Sequence, residues 1–236
     1  MQPLQTSHSM FSRATLRMAF AVGASVLSLA GCDAFDRPAP TGAQYMLSPS
    51  KQAPIEGAAL GTAMVMRFSA IPPFDGRPFL YKTSDGSWRA DAYNGFLSDP
   101  SDMICDATAR AFSRSGRFSL VGIQGLAVRC DFMIDGVIES FYSDYSDPER
   151  PVVVVEIHSY LLDGRGGRTR MIAHMGGKTR TPIQGAAPKD VADAFSVAVS
   201  EVLDQIVRGL PAEVEAEKPA PDANATKAAA QFEVDS

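Results

Sequence analysis

Histidine, cysteine and tryptophan are scarce in this chain of 236 residues: three, three and one. One histidine, His8, sits close to the start, which leaves His158 and His174. Two histidines are little material for a catalytic triad, whose base must be placed by a third group. The Gly-x-Ser-x-Gly elbow that exposes a serine nucleophile is absent as well. The chain is therefore expected not to be an enzyme. Basic charge is not in excess, with 22 Lys and Arg against 27 Asp and Glu and a net charge of −5. A nucleic-acid binder would show a basic face, so nucleic acid is not an expected partner. The same balance argues against a polybasic grip on anionic lipid. The apolar run near the start, Met18 to Ala30, has 13 residues. A bilayer span needs about 20.

That short run follows Arg13 and Arg17 and ends in Leu29-Ala30-Gly31-Cys32. Charged residues, an apolar stretch, then small residues is the order of a cleaved export signal. The last four positions resemble the lipobox of bacterial lipoprotein signal peptides. The resemblance implies removal of residues 1–31 and acylation of Cys32 as the new first residue. Buried acyl chain contributes about 0.8 kcal/mol per methylene, and two chains hold a protein on a membrane almost permanently. Covalent lipid on Cys32 is the only non-protein group expected.

Residues 32–43 read as a lipidated tether and residues 211–236 as a disordered acidic tail. The tail holds six acids and two lysines, with too few bulky apolar residues to offset the entropy of ordering. Residues 44–210 are the right size for one domain. Cys105 and Cys130 would both be exported into an oxidising compartment. A disulfide between them would close a loop of about 25 residues and stabilise by roughly 3–4 kcal/mol on a chain-entropy argument. Two buried thiols are the alternative.

Alternation and turn chemistry predict strands near 45–47, 60–70, 77–83, 87–90, 118–121, 130–142, 151–162 and 168–175. Ser84-Asp85-Gly86 is a hairpin turn with glycine where positive φ is cheap. Asp99-Pro100-Ser101 opens a helix with a capping side chain, whose apolar face is Ile104, Ala107, Ala111 and Phe112. A second helix follows Ala187-Pro188, with Val191, Phe195, Ala198, Val202 and Ile206 on one stripe. The order predicts an α+β fold, a mainly antiparallel sheet with two helices packed on one face.

Gly176-Gly177-Lys178-Thr179 has the look of the end of a phosphate loop. The motif needs a glycine where Ile172 stands and a helix where Arg180-Thr181-Pro182 follows. It is read as a turn. Glu156, His158 and Tyr160 share a strand face, and a symmetric turn at Asp163–Gly167 would set His174 opposite Glu156. Polar cross-strand pairs account for that pattern, and no metal site is expected. The aromatics Phe79, Tyr81, Trp88, Tyr93 and Phe96 are the candidates for partner binding, because aromatics often anchor interfaces. An ordinary core is the competing account.

The run Phe79-Leu80-Tyr81-Lys82 with Trp88-Arg89-Ala90-Asp91-Ala92-Tyr93-Asn94-Gly95-Phe96-Leu97-Ser98-Asp99-Pro100 resembles the ABC-type transport auxiliary lipoproteins, a group that includes paraquat-inducible protein C. Ser115-Gly116-Arg117-Phe118, the Asp135-Gly136 strand leading to Tyr142-Ser143-Asp144, and the closing amphipathic helix fit the same family. The resemblance implies an accessory subunit of an intermembrane phospholipid transport system. Its implied partners are an MCE-domain protein and ABC transporter subunits, with the membrane gripped through the lipid anchor. A periplasmic lipid-binding carrier, and an envelope-assembly lipoprotein without an ABC transporter, remain the alternatives. The anchor is expected to face the periplasm. The family's outer-membrane members favour that membrane, although Asp33 resembles an inner-membrane retention signal. The acidic tail after Leu210 departs from the family.

Overall fold

The structure is a computed structural model and describes residues 42–125, 130–165 and 168–214. The leader, Cys32, most of the tether and residues 215–236 lie outside the described residues. The elements in chain order are β1 (Gln44–Tyr45), β2 (Thr62–Val65), β3 (Ser69–Ala70), β4 (Pro78–Lys82), β5 (Trp88–Phe96), α1 (Pro100–Arg114), β6 (Leu120–Ile123), β7 (Phe132–Asp144), β8 (Val152–Asp163), β9 (Arg170–Pro182) and α2 (Pro188–Arg208).

β7 is the spine of the sheet. One of its edges pairs antiparallel with β8, which pairs antiparallel with β9. Its other edge is shared end to end by β2, β3 and β4, all parallel to it. β6 joins β2 in parallel, β5 joins β4 as an antiparallel hairpin, and β1 joins β5 in parallel. The sheet is therefore mixed, which corrects the expected mainly antiparallel arrangement. One long strand offers more edge than a single short strand can fill. The segment from Thr62 to Lys82 runs alongside it in three pieces, and no hairpin link governs that choice of partner.

Both helices cover one sheet face and touch each other. Phe79, Phe96, Phe141 and Phe195 fill the layer beneath α2, with ring centroids 4.5–6.1 Å apart. Burial of each such ring contributes about 1.5–3 kcal/mol. The stripe read from the sequence, Val191 through Ile206, is buried throughout. Gly136 lies on the same face of β7, and the ring of Phe68 occupies the place of a side chain there. A Cβ on Gly136 would stand 2.4 Å from Phe68 Cε2.

Helix starts differ in detail from expectation. Asp99 stands at the N-cap of α1 without a capping bond. Its carboxylate pairs instead with Arg77 (2.9 Å) and Arg67 (3.5 Å). At α2 the Asp190 carboxylate accepts the Ala187 N–H at 2.9 Å. Gly176-Gly177-Lys178-Thr179 lies inside β9, so the reading of a turn is corrected to strand. Glycine is needed at 177 because α2 crosses closely there. A Cβ would lie 3.0 Å from the Val202 carbonyl oxygen.

Cys105 and Cys130 are not joined to each other. Cys105 Sγ lies 3.4 Å from the Met66 carbonyl oxygen, just past one end of β2. Cys130 precedes Asp131, whose carboxylate accepts the Thr62 N–H at the other end. Strand residues rise about 3.3 Å each, so several residues of strand separate the two sites. A disulfide needs Cα atoms within about 7 Å.

The domain extends beyond both expected boundaries. Asn94 Oδ1 accepts the Ala43 N–H at 3.3 Å. At the other end Arg117, 1% exposed, donates from Nε to the Ala58 carbonyl and from Nη2 to the Pro211 and Ala212 carbonyls, each at 2.8 Å. Val214 packs against the core. Residues 211–214, grouped by composition with the tail, are thus clasped by a buried guanidinium. Gly57, at φ +139°, lets the chain lie flat on that guanidinium.

Two buried carboxylates brace the ends of the long strands. Asp144 accepts from Arg180 Nη2 and Asp163 from Arg165 Nη2, both at 2.8 Å. Burial opposes ionisation of Asp144, but Ser146 and Arg180 outweigh it and hold its pKa down at about 2. The Arg165 side-chain bond, against the opposing effect of burial, lowers Asp163 in the same direction. A carboxylate depressed in the folded state stabilises above its unfolded pKa, about 3.9, and loses that contribution as pH falls through the folded value. Thermal unfolding across pH should therefore show stability falling from about pH 4 toward pH 2. Asp144→Asn should cost about 2 kcal/mol at pH 7, and the gap to the parent should close toward pH 2. A constant gap would count against this assignment.

Candidate functional site

The β4–β5 hairpin carries most of the candidate aromatics. Its turn is closed by Thr83 and Ser87 backbone bonds, with Gly86 at φ +81°. Alternation sends Phe79 and Tyr81 to the helix-covered face, while Trp88 points to the open face. Phe79 and Phe96 are core residues, 0% and 2% exposed. They are withdrawn as partner-binding candidates, because α2 lays Phe195 over both rings. Tyr81 lies at the rim of the same layer. Trp88 and Tyr93 are 47% and 56% exposed.

On the open face Trp88 does not stand alone. Its ring meets Tyr142 edge-on at 4.8 Å, and Phe74 stacks on Tyr142 at 5.8 Å. Phe74 and Tyr142 were not singled out from the sequence. Phe74 lies between β3 and β4, and the period of β7 groups Tyr142 with Phe132, Ile134 and Ile138 until the register shift between Ile138 and Ser140 turns it to the open face.

On the other side of the hairpin lies a cleft of about 460 Å³, lined by Tyr81, Arg89, Asp91, Tyr145, Pro188 and Val191 among others. Tyr81 Oη donates to Asp91 Oδ2 at 2.9 Å, and the Tyr145 ring meets Tyr81 edge-on at 5.6 Å. Asp91 also accepts from the backbone N–H groups of Tyr93 and Asn94 and from Asn94 Nδ2. Burial pushes the Asp91 pKa up, but these donors together bring it below the usual range. Burial first, then the bond to Asp91, drives the Tyr81 hydroxyl well above its ordinary value. The pair is a donor-acceptor brace beside the register shift in the β4–β5 hairpin.

β5 is also a sheet edge. β1 pairs with it only at Gly95 and Phe96. Among the described residues, Trp88 to Ala92 have no strand partner on that side, while at Tyr93 the N–H is taken by Asp91 and Gly42 lies against the carbonyl. An open edge presents a row of backbone donors and acceptors to which another strand can add. Trp88 and Tyr93 flank it.

The histidine face took a register of its own. Glu156 pairs with Lys178, and His174 with Tyr160. The connection is longer than a symmetric turn at Asp163–Gly167. The register is offset by an even number of residues, so His174 stays on the face of His158. The His158 and His174 rings stack at 5.0 Å, with His158 Nδ1 and His174 Nε2 2.8 Å apart. Glu139, not anticipated from the sequence, joins them through a bulge in β7.

Among the described residues, no helix is long and apolar enough to cross a membrane. No family model matches the sequence, and no curated protein matches it. Solved structures do. A Xanthomonas campestris protein assigned to the family DUF330 superposes with a TM-score of 0.62 at 22% identity, over 70% of this chain and 93% of that one. An uncharacterised protein superposes at 0.55 with 13% identity, over 71% and 97%. A Neisseria meningitidis lipoprotein superposes at 0.35 with 13% identity, over 57% and 94%. The two leading overlays span nearly the whole of their partners, so the α+β domain described here has the fold of the Xanthomonas campestris DUF330 protein.

Proposed function

We propose that the protein is a lipid-anchored envelope lipoprotein facing the periplasm, and that it serves as the auxiliary, docking component of an ABC/MCE-type phospholipid transport system. The reading draws the anchor from Leu29-Ala30-Gly31-Cys32 and the transport partners from the family resemblance. The observation that carries the docking role is the open β5 edge flanked by exposed Trp88 and Tyr93. A rigid edge with aromatic anchors suits strand addition, in which backbone bonds give affinity and side-chain pockets give specificity. Anchoring makes the encounter effectively intramolecular, with a local concentration set by the 33–43 tether. The outer membrane is the favoured site of the anchor.

The carrier alternative calls for an apolar groove beneath the two helices. The space beneath α2 is occupied by Phe79, Phe96, Phe141 and Phe195, which favours docking over carriage. Envelope fractionation tests the anchor. The native protein should sediment with membranes, and Cys32→Ala should move nearly all of it to the soluble periplasm. Equal membrane association of both forms would remove the lipid anchor from this account.

A further inference from the structure

We propose that the open face of the sheet carries a site for a divalent transition-metal ion of the Zn²⁺ class, with His158 Nε2, Glu139 and Glu156 as ligands and His174 as a positioning residue. The inference is independent of the docking role.

The site depends on a local irregularity. Strand alternation puts Glu156 and His158 on the helix-free face of β8. On β7 the register shifts between Ile138 and Ser140, so Glu139 and Ser140 both turn to that face. Bulges re-aim side chains in this way and recur beside functional sites. His158 Nε2 lies 3.4 Å from Glu139 Oε2 and 3.9 Å from Glu156 Oε1. The ligand atoms of the three residues all lie within 4.8 Å of one another. Ligands at about 2.0–2.2 Å from a tetrahedral zinc stand roughly 3.3–3.5 Å apart. The two histidine–carboxylate spacings are within about half an ångström of that geometry, and the two carboxylates, held on side chains at the surface, close by up to about 1.4 Å around the ion.

The surroundings orient each donor. His158 Nδ1 lies 2.8 Å from His174 Nε2. With the proton on Nδ1 donated to His174, the Nε2 lone pair of His158 faces the two carboxylates. Metal-bound histidines are held by just such a bond from the second nitrogen. Tyr160 stacks on His174 at 5.0 Å, and so does His158. The three rings fix one another. Glu156 is steered too: Lys178 Nζ (2.7 Å) and Ser140 Oγ (3.2 Å) both donate to Oε2, which leaves Oε1 toward His158. One imidazole and two carboxylates is a mixed nitrogen-oxygen set that suits zinc, manganese or iron(II) better than calcium or magnesium. Three protein ligands leave one position for water or a partner's side chain.

The test uses the full-length protein without an affinity tag, stripped with chelator, then titrated with Zn²⁺ by calorimetry and with Co²⁺ by visible absorption. The expected result is one ion per chain, a Co²⁺ spectrum without a thiolate charge-transfer band, and a raised melting temperature. Glu139→Gln and His158→Ala should each weaken uptake by more than about 100-fold, and His174→Phe by about 10–100-fold. Glu139 has an exposed side chain, so Glu139→Gln should leave the ion-free melting temperature unchanged and keeps the test independent of folding. Uptake unaltered in Glu139→Gln, a thiolate band, or no uptake at micromolar Zn²⁺ would each overturn the site.

Discussion

Gly136→Ala is expected to lower unfolding free energy by about 3 kcal/mol, the upper part of the range for forcing a group into a packed core. For a domain of this size that is a fall of about 6–12 °C in melting temperature. The added Cβ would stand within 2.4–2.6 Å of three ring atoms of Phe68. Phe68 is itself 2% exposed. The ring cannot step aside, because β3 and β7 are bonded to each other just beyond it. Phe68→Leu alone should also destabilise, by removing ring atoms from the core. Combined with Gly136→Ala it should cost clearly less than the sum, because each change relieves what the other creates. Strict additivity in denaturant unfolding would contradict the close contact.

Arg117→Leu is expected to cost about 3 kcal/mol and to expose the chain after Leu210 to proteases. Three charge-assisted bonds are lost, each worth about 1.5–3 kcal/mol. The net effect is smaller than their sum, since leucine also removes the cost of keeping a cation out of water. What it cannot replace is the clasp. The same guanidinium joins the Ala58 carbonyl to those of Pro211 and Ala212, and so ties the segment before β2 to the segment after α2. Arg117→Lys should rescue little, because an ammonium lacks the planar fork that reaches carbonyls on two sides. Limited proteolysis with mass detection checks the second half of the prediction. Retention of residues 211–214 in Arg117→Leu would show that Val214 packing alone holds them.

The sequence made the long, strongly patterned elements legible. The Val191–Ile206 stripe and the run of valines in β8 carry periods that survive any tertiary context. The mixed sheet was not legible, because β2, β3 and β4 are too short for their own pattern to name a partner. Edge length on β7 decides it. The aromatic candidates divide for a related reason. Phe79 and Tyr81 share a face by alternation, but only the place where α2 begins, at Pro188, determines that one is roofed and the other lies at the rim. Trp88 is one of five aromatic candidates in the sequence, and its neighbours Phe74 and Tyr142 come from distant parts of the chain. Glu139 was beyond reach, because a bulge changes parity without marking the sequence. His174 kept its face through an even offset in register, and an odd one would have buried it.

The docking account is tested most directly by affinity isolation of the full-length protein from detergent-solubilised envelopes, with the double variant Trp88→Ser/Tyr93→Ser beside it. Exposed aromatic anchors at an interface centre are worth about 2 kcal/mol or more each. The native protein should recover MCE-domain and ABC transporter subunits, and the variant should lose at least about nine-tenths of that recovery at an unchanged melting temperature. Recovery of neither subunit by the native protein, or equal recovery by both forms, would contradict it.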